Sequence, residues 1–259
     1  MRPLLVALSL LLWLGGSPAR ADDPAPSGAD PVGEVTAVEG RVQATLGADS
    51  RRVERGEAVY RGDWIETEKK SRAKIVLHDE TELVVGPGSR VHLDEFVYQP
   101  GQGSGKVLLE MGVGLLRFTS GVLEPESYEV KTPVASIGVR GTIFDVIVSA
   151  IDFATTVILR EGRISVRSLV KAVNVDAEDH ASEVEGAGED PTQPREATED
   201  EEDTTDPLKR PFKSERPTAK TRPTLPGNVT KPPHMPSKPD MKAPAPVIPK
   251  SPNLPSHRY

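Results

Sequence analysis

The chain has 259 residues, a formal net charge of −7 and no cysteine. The missing thiols exclude disulfide staples, thiol catalysis and cysteine-ligated zinc or iron–sulfur centres. The small net charge gives no global pull towards nucleic acid, and it conceals two opposed charge blocks near the C-terminus.

Taken in order, Arg2 precedes an apolar run from Leu4 to Leu14, then Gly15-Gly16-Ser17-Pro18-Ala19-Arg20-Ala21. A basic start, a short apolar core and small residues at Ala19 and Ala21 are the parts of a cleavable secretory signal. Residues 1–21 are therefore expected to be removed after Ala21, with 22–30 as a flexible new start. The run falls short of the roughly twenty apolar residues of a spanning helix. No later segment approaches that length, so no membrane span is expected, and no cysteine follows to carry a lipid anchor.

Residues 31–175 are rich in Val, Ile, Leu and Thr with glycine punctuation and little helical periodicity. Glu39-Gly40 reads as a turn between two strands. Ala73, Ile75 and Leu77 alternate with more polar neighbours, the period of a half-buried strand, and the alternation resumes at Leu83 and Val85 after Asp79-Glu80. Lys69-Lys70-Ser71-Arg72 reads as a solvated turn. Further strands are expected at Arg90–Val97, Lys106–Met111, Gly114–Thr119, Tyr128–Lys131, Ile143–Val148, Thr155–Leu159 and Arg163–Val166. The expected fold is one all-β sandwich, roll or short solenoid. Trp64, Phe118 and Phe144 are expected as core anchors, and Tyr60, Phe96 and Tyr98 as a small exposed aromatic patch.

The densest motif runs Thr132-Pro133-Val134-Ala135-Ser136-Ile137-Gly138-Val139-Arg140-Gly141-Thr142-Ile143-Phe144-Asp145-Val146, followed by Glu161-Gly162-Arg163. Pro133 removes a ladder donor and holds Thr132 extended. Gly138 and Gly141 bracket Val139-Arg140, where a sharp turn or positive φ is expected. Arg140 is expected to brace that turn through its donors, with a direct ligand contact as the alternative. The pattern TPxAxxGVRGTxFxV, with the strand pair around Glu161-Gly162, resembles the FecR-domain family across about Gly33 to Val166. That resemblance implies an extracytoplasmic all-β module, and makes Thr132, Pro133, Gly138, Arg140, Gly141, Thr142, Phe144 and Gly162 a structural motif with a possible interface role. The family usually has Asp-Gly where Asp79-Glu80 stands, so a longer or different turn is expected there. Its best-known members relay a signal from an outer-membrane receptor to a sigma factor, using a cytoplasmic segment and a transmembrane helix that are not recognisable here.

Beyond Val175 the apolar pattern stops. Residues 176–206 carry fourteen acidic side chains against Arg195 alone, and 207–259 carry fourteen prolines and eleven Lys or Arg. Both blocks are expected to be disordered, since neither offers enough apolar area to offset the entropy of ordering. His78, His92, His180, His234 and His257 show no metal-ligand spacing, and no nucleophile motif, phosphate loop or cofactor fingerprint appears. The expectation is a non-enzymatic exported binding or scaffold module of the bacterial periplasm or cell surface, without cofactor. It would act in signal transduction through an envelope protein partner. The alternative is a structural envelope protein binding polysaccharide or peptidoglycan, with an anionic wall polymer meeting the basic tail.

Overall fold

The computed structural model describes residues 29–101 and 104–213. In chain order the first strands are β1 (Pro31–Glu39), β2 (Val42–Leu46), β3 (Asp49–Arg52), β4 (Ala58–Tyr60), β5 (Trp64–Thr67), β6 (Arg72–Leu77), β7 (Glu82–Val85) and β8 (Arg90–Tyr98). The long β9 (Gly105–Thr119) follows. Then come β10 (Tyr128–Lys131), β11 (Ser136–Val139), β12 (Ile143–Val148), β13 (Thr155–Glu161), β14 (Ile164–Arg167), β15 (Ala172–Val175), β16 (His180–Val184) and β17 (Arg195–Glu196), and finally helix α1 (Glu199–Lys209).

Strand pairing arranges these into two layers that share β9. One layer runs β4-β1-β6-β7-β9-β12-β13-β16-β17. The other runs β3-β2-β5-β8-β9-β10-β11-β14-β15, in which only β9–β10 is parallel. The two strands expected at 106–111 and 114–119 are thus one strand, bent rather than broken. Gly114 makes the bend: it has φ +101°, and a Cβ there would lie 2.4 Å from Ser89 Oγ. The N-terminal half of β9 serves one layer and its C-terminal half the other.

Alternating side chains from both layers meet in one core. Phe118 and Phe144 are fully buried and stack at 5.2 Å, and the Phe118 ring meets Tyr128 edge-on at 5.7 Å. Trp64 behaves otherwise. It lies half-buried on an outer face, stacked on His92 at 4.5 Å with the Arg90 guanidinium 4.1 Å over its ring. Strand alternation explains this, because Ile65 rather than Trp64 points inward.

Two further expectations are corrected at turns. Glu80 takes φ +68° where a non-glycine residue was expected to force another turn. Buried Asp79 holds it there, accepting from Thr81 N at 3.2 Å, Thr81 Oγ1 at 2.7 Å and the Tyr128 hydroxyl at 3.0 Å. Burial, and then the Asp79 charge, push the Tyr128 phenol up to about 12. The basic turn is not all solvated either: Ser71 and Arg72 are buried.

Residues 176–206, expected to be disordered, carry β16, β17 and most of α1. Counting acids against apolar residues missed the partners that neutralise them. Thr198 and Glu201 form a capping box, and acidic residues in the first turn favour the helix dipole. Arg195 grips Glu201 at 2.7 and 2.9 Å. Arg160 reaches Glu202 at 2.5 Å and Asp179 at 2.7 Å. Leu208 and Phe212 then close on Ala37 and Val84. Arg72 fastens the end of this strap: it donates to the carbonyls of Pro207 (2.7 Å), Arg210 (2.6 Å) and Pro211 (2.9 Å) and to Glu39 (3.0 Å). Folded structure therefore continues past residue 175 to 213, the last described residue. The rest of the basic tail, 214–259, lies outside the described residues, as do Ala19 and Ala21.

Candidate functional site

The residues of the 132–146 motif divide between the two ends of β11. At one end Gly141 has φ +66° with open space around its missing Cβ. Gly162, at φ +87°, lies so close that a Cβ would sit 2.2 Å from the Gly141 carbonyl oxygen. Thr142 is buried here, its amide donating to Ser120 Oγ at 3.0 Å. Phe144 leads into the core. Gly138 does not turn the chain: it lies inside β11 without positive φ. Arg140 does not brace the turn with its side chain. Only its backbone is fixed, donating to the Arg163 carbonyl at 3.0 Å, and the guanidinium is exposed with no partner among the described residues.

The other end gathers three turns into one tip. Thr132 closes the β10–β11 turn, its amide donating to Ala135 O at 2.8 Å and its Oγ1 accepting from Ala135 N at 3.0 Å. Thr155 Oγ1 lies 2.9 Å from Thr132 Oγ1 and 3.1 Å from the Phe153 carbonyl, which ties the β12–β13 loop to that turn. Because Ser136 pairs with Arg167, the β14–β15 turn stands alongside. Lys131 through Ser136, Arg167, Ser168, Leu169 and Ala187 surround a shallow cavity of about 200 Å³.

This tip displays apolar side chains that the core does not use. Ile151 is 93% exposed, Leu169 85% and Val170 71%, with Phe153 at 46%. Their backbones are nonetheless held. Ser149 N donates to Ala154 O at 3.0 Å, and Ser168 N to Lys171 O at 2.8 Å. The Ser149 hydroxyl, followed by the Ala154 amide, holds Asp152 below the usual carboxylate range. Phe153 has φ +63°, a costly conformation for a bulky residue and one that concentrates at functional positions. Lys131 and Arg167 stand at the cavity with no partner among the described residues. Such a tip can bind: it offers fixed apolar projections, a small cavity and two free cations. Of its hydroxyls, Ser168 bonds to backbone, Thr132 to backbone and Thr155, and Ser136 donates to the Glu129 carboxylate at 2.6 Å.

Two other concavities are arranged differently. An open groove of about 790 Å³ beside α1 is lined by Arg117, Arg160, Lys209 and their carboxylate partners. Fully buried Asp145 clamps both arginines there, accepting from Arg117 Nε at 2.7 Å and Arg160 Nε at 2.8 Å. Arg160 and Lys209 both bond to Glu202 of the helix. A second groove, about 550 Å³, is lined by His78, Phe96, Tyr98 and Arg61. Tyr60, expected in that aromatic patch, is instead buried under Arg51, whose guanidinium sits 4.9 Å from its ring. Among the described residues no group of three His, Asp or Glu is placed to hold a metal ion.

Motif Thr132 and Pro133 are thus at the tip, whereas Ile151, Phe153, Arg167, Leu169 and Val170 were missed. The available signal was Leu169-Val170 between two strands, where a turn should be polar.

The geometry defines a two-layer all-β module with a preformed apolar tip. Residues 63–165 match the model of the FecR protein family, and the chain carries a FecR domain. The match opens at Asp63, later than the Gly33 of the sequence reading. Asp63 itself is fully buried, accepting 2.9 and 2.6 Å bonds from Arg51 and a 2.8 Å bond from Tyr60 N. Two crystal structures of a "putative anti-sigma factor" from Parabacteroides distasonis ATCC 8503 are similar to this chain. They show 18% and 20% identity and TM-scores of 0.42 and 0.41. Each alignment covers 52% of this chain and 60% of the other, so the chain spans about three-fifths of those proteins. No curated protein matches the chain.

Proposed function

We propose that the chain is a non-enzymatic exported binding module of the bacterial envelope, working in signal transduction through a protein partner held at the tip. The observation that carries this reading is the set of exposed apolar residues, Ile151, Leu169 and Val170, fixed on hydrogen-bonded turns around the Thr132-Pro133 end of the FecR motif. A hydrophobic centre with charged groups at its rim is the composition of a protein interface. The FecR match supports a signalling context, and the segment Arg2 to Ala21 supports export. Among the described residues no helix is long and apolar enough to cross a membrane.

Affinity purification from envelope extracts tests the reading, comparing the native protein with Ile151→Glu and Leu169→Glu. A stoichiometric protein should accompany the native chain and be lost from both variants. Retention of that protein by both variants would move the contact elsewhere. Sedimentation of the native protein with purified wall, and no protein companion, would favour a polysaccharide-binding envelope protein instead.

A further inference from the structure

The outer strands of the two layers are not equally protected. β3 carries Asp49, Arg51 and Arg52, and Arg51 folds back onto the Ala58 carbonyl at 3.2 Å. β4 has three residues, and β17 has two and leads into α1. Charges, short length and covering elements are how sheets protect their edges. β15 is as short as β3, but it carries no charged residue and leads into no helix. Ala172-Val173-Asn174-Val175 is uncharged, proline-free and paired on one side only, with β14.

The pairing geometry shows which groups stand open. Ser168 N donates to Lys171 O, closing the β14–β15 turn as a hydrogen-bonded pair. Alternation along an antiparallel ladder then makes Val166/Val173 and Ile164/Val175 the bonded pairs. Ala172 and Asn174 therefore turn their N–H and C=O groups away from β14. Both residues are exposed, while Val173 and Val175 are buried. Neither open residue has another backbone partner among the described residues. Lys171 precedes the strand, and Asp176 and Glu178 follow it. A reversed copy of the same strand would bring each lysine beside the other's acidic end, and Ala172 opposite Asn174.

We propose that a second copy of this chain pairs with β15, antiparallel and about a two-fold axis, so that one β layer continues through both molecules. The edge is self-complementary in hydrogen bonding and in charge, which a two-fold contact requires. This pairing is independent of the protein partner proposed for the tip, and it leaves Ile151 untouched.

Sedimentation equilibrium of the envelope-purified protein, over a range of concentrations, tests it. The native chain should show a monomer–dimer equilibrium. Asn174→Pro removes an outward donor at a position where an edge strand tolerates proline, and should weaken dimerisation about tenfold or more. Lys171→Glu and Asp176→Lys should each weaken it, and the double variant should restore it. The Lys171–Asp190 contact, at 3.5 Å between half-exposed groups, matters little to the fold. A native protein that stays monomeric at every concentration would overturn the proposal. So would variants that dimerise as tightly as the native chain, or a charge swap that fails to restore what the single changes lose.

Discussion

Three glycines of the FecR motif should respond to alanine in a graded order set by their backbone geometry. Gly138 has no positive φ, and the nearest atom to an added Cβ is Ser165 O at 3.9 Å. Gly138→Ala should therefore be neutral or stabilise by about 0.4–1 kcal/mol, through a less flexible unfolded chain. Gly141 has open space but φ +66°, so Gly141→Ala should cost about 1–2 kcal/mol, the left-handed penalty alone. Gly162 combines φ +87° with a Cβ 2.2 Å from the Gly141 carbonyl oxygen and 2.8 Å from Thr142 Cγ2. Backbone would have to move, so Gly162→Ala should exceed the Gly141 cost, at about 3 kcal/mol or more. In a domain of roughly 150–250 residues, 1 kcal/mol shifts Tm by about 2–4 °C. Gly141→Ala should then lower Tm by about 2–8 °C, Gly162→Ala by about 6–12 °C or more, and Gly138→Ala should stay near the native value. Calorimetry of the three variants reads this directly. A Gly138 variant that melts lowest, or three equal shifts, would refute the assignment of turn strain to Gly141 and Gly162.

Tyr128→Phe should cost about 2–4 kcal/mol, because it leaves the Leu123 amide without a partner and takes one of three hydrogen bonds from the buried Asp79 carboxylate; an unchanged urea midpoint would contradict the network. The raised phenol also sets an alkaline limit: its contribution is complete below the unfolded value near 10 and is lost as pH rises through about 12, which pH-dependent melting of native and Phe forms should separate. At the strap, the Arg72 bond holds Glu39 below its usual range and the Arg195 bond does the same for Glu201. Burial works to raise Glu202, but its bonds from Arg160 and Lys209 more than offset that, and it too is lowered. Depressed carboxylates stabilise above their unfolded values near 4.3 and lose that contribution as pH falls through their folded values. Hydrogen exchange at residues 199–213 should therefore accelerate below about pH 4 before the core opens; simultaneous opening of strap and core would contradict a separately held strap.

Much of the sandwich was readable because strand alternation is a local signal. Tyr128–Lys131 and Ile143–Val148 coincide with β10 and β12. What escaped depended on distant partners. Glu80 tolerates φ +68° because Asp79 is gripped by Tyr128, far along the chain. The acidic stretch after Val175 folds because Arg160 awaits Asp179 and Glu202, and Arg72 the carbonyls at the end of the helix. Gly112-Val113-Gly114 reads as a break between strands, yet Ser89 packs against Gly114 and the strand bends through. The site was half legible. Thr132 and Pro133 stood out in the motif, but only topology reveals that the loops at Ile151 and Leu169 arrive beside them.

Site-specific photo-crosslinking in intact cells tests partner binding at the tip most directly. A photoreactive residue placed at Leu169, and separately at Ile151, is compared with one at exposed Arg163 at the opposite end of β11. Binding at the tip should yield the same protein adduct from both tip positions and none from Arg163. Adducts from Arg163 alone, or from neither tip position, would contradict it.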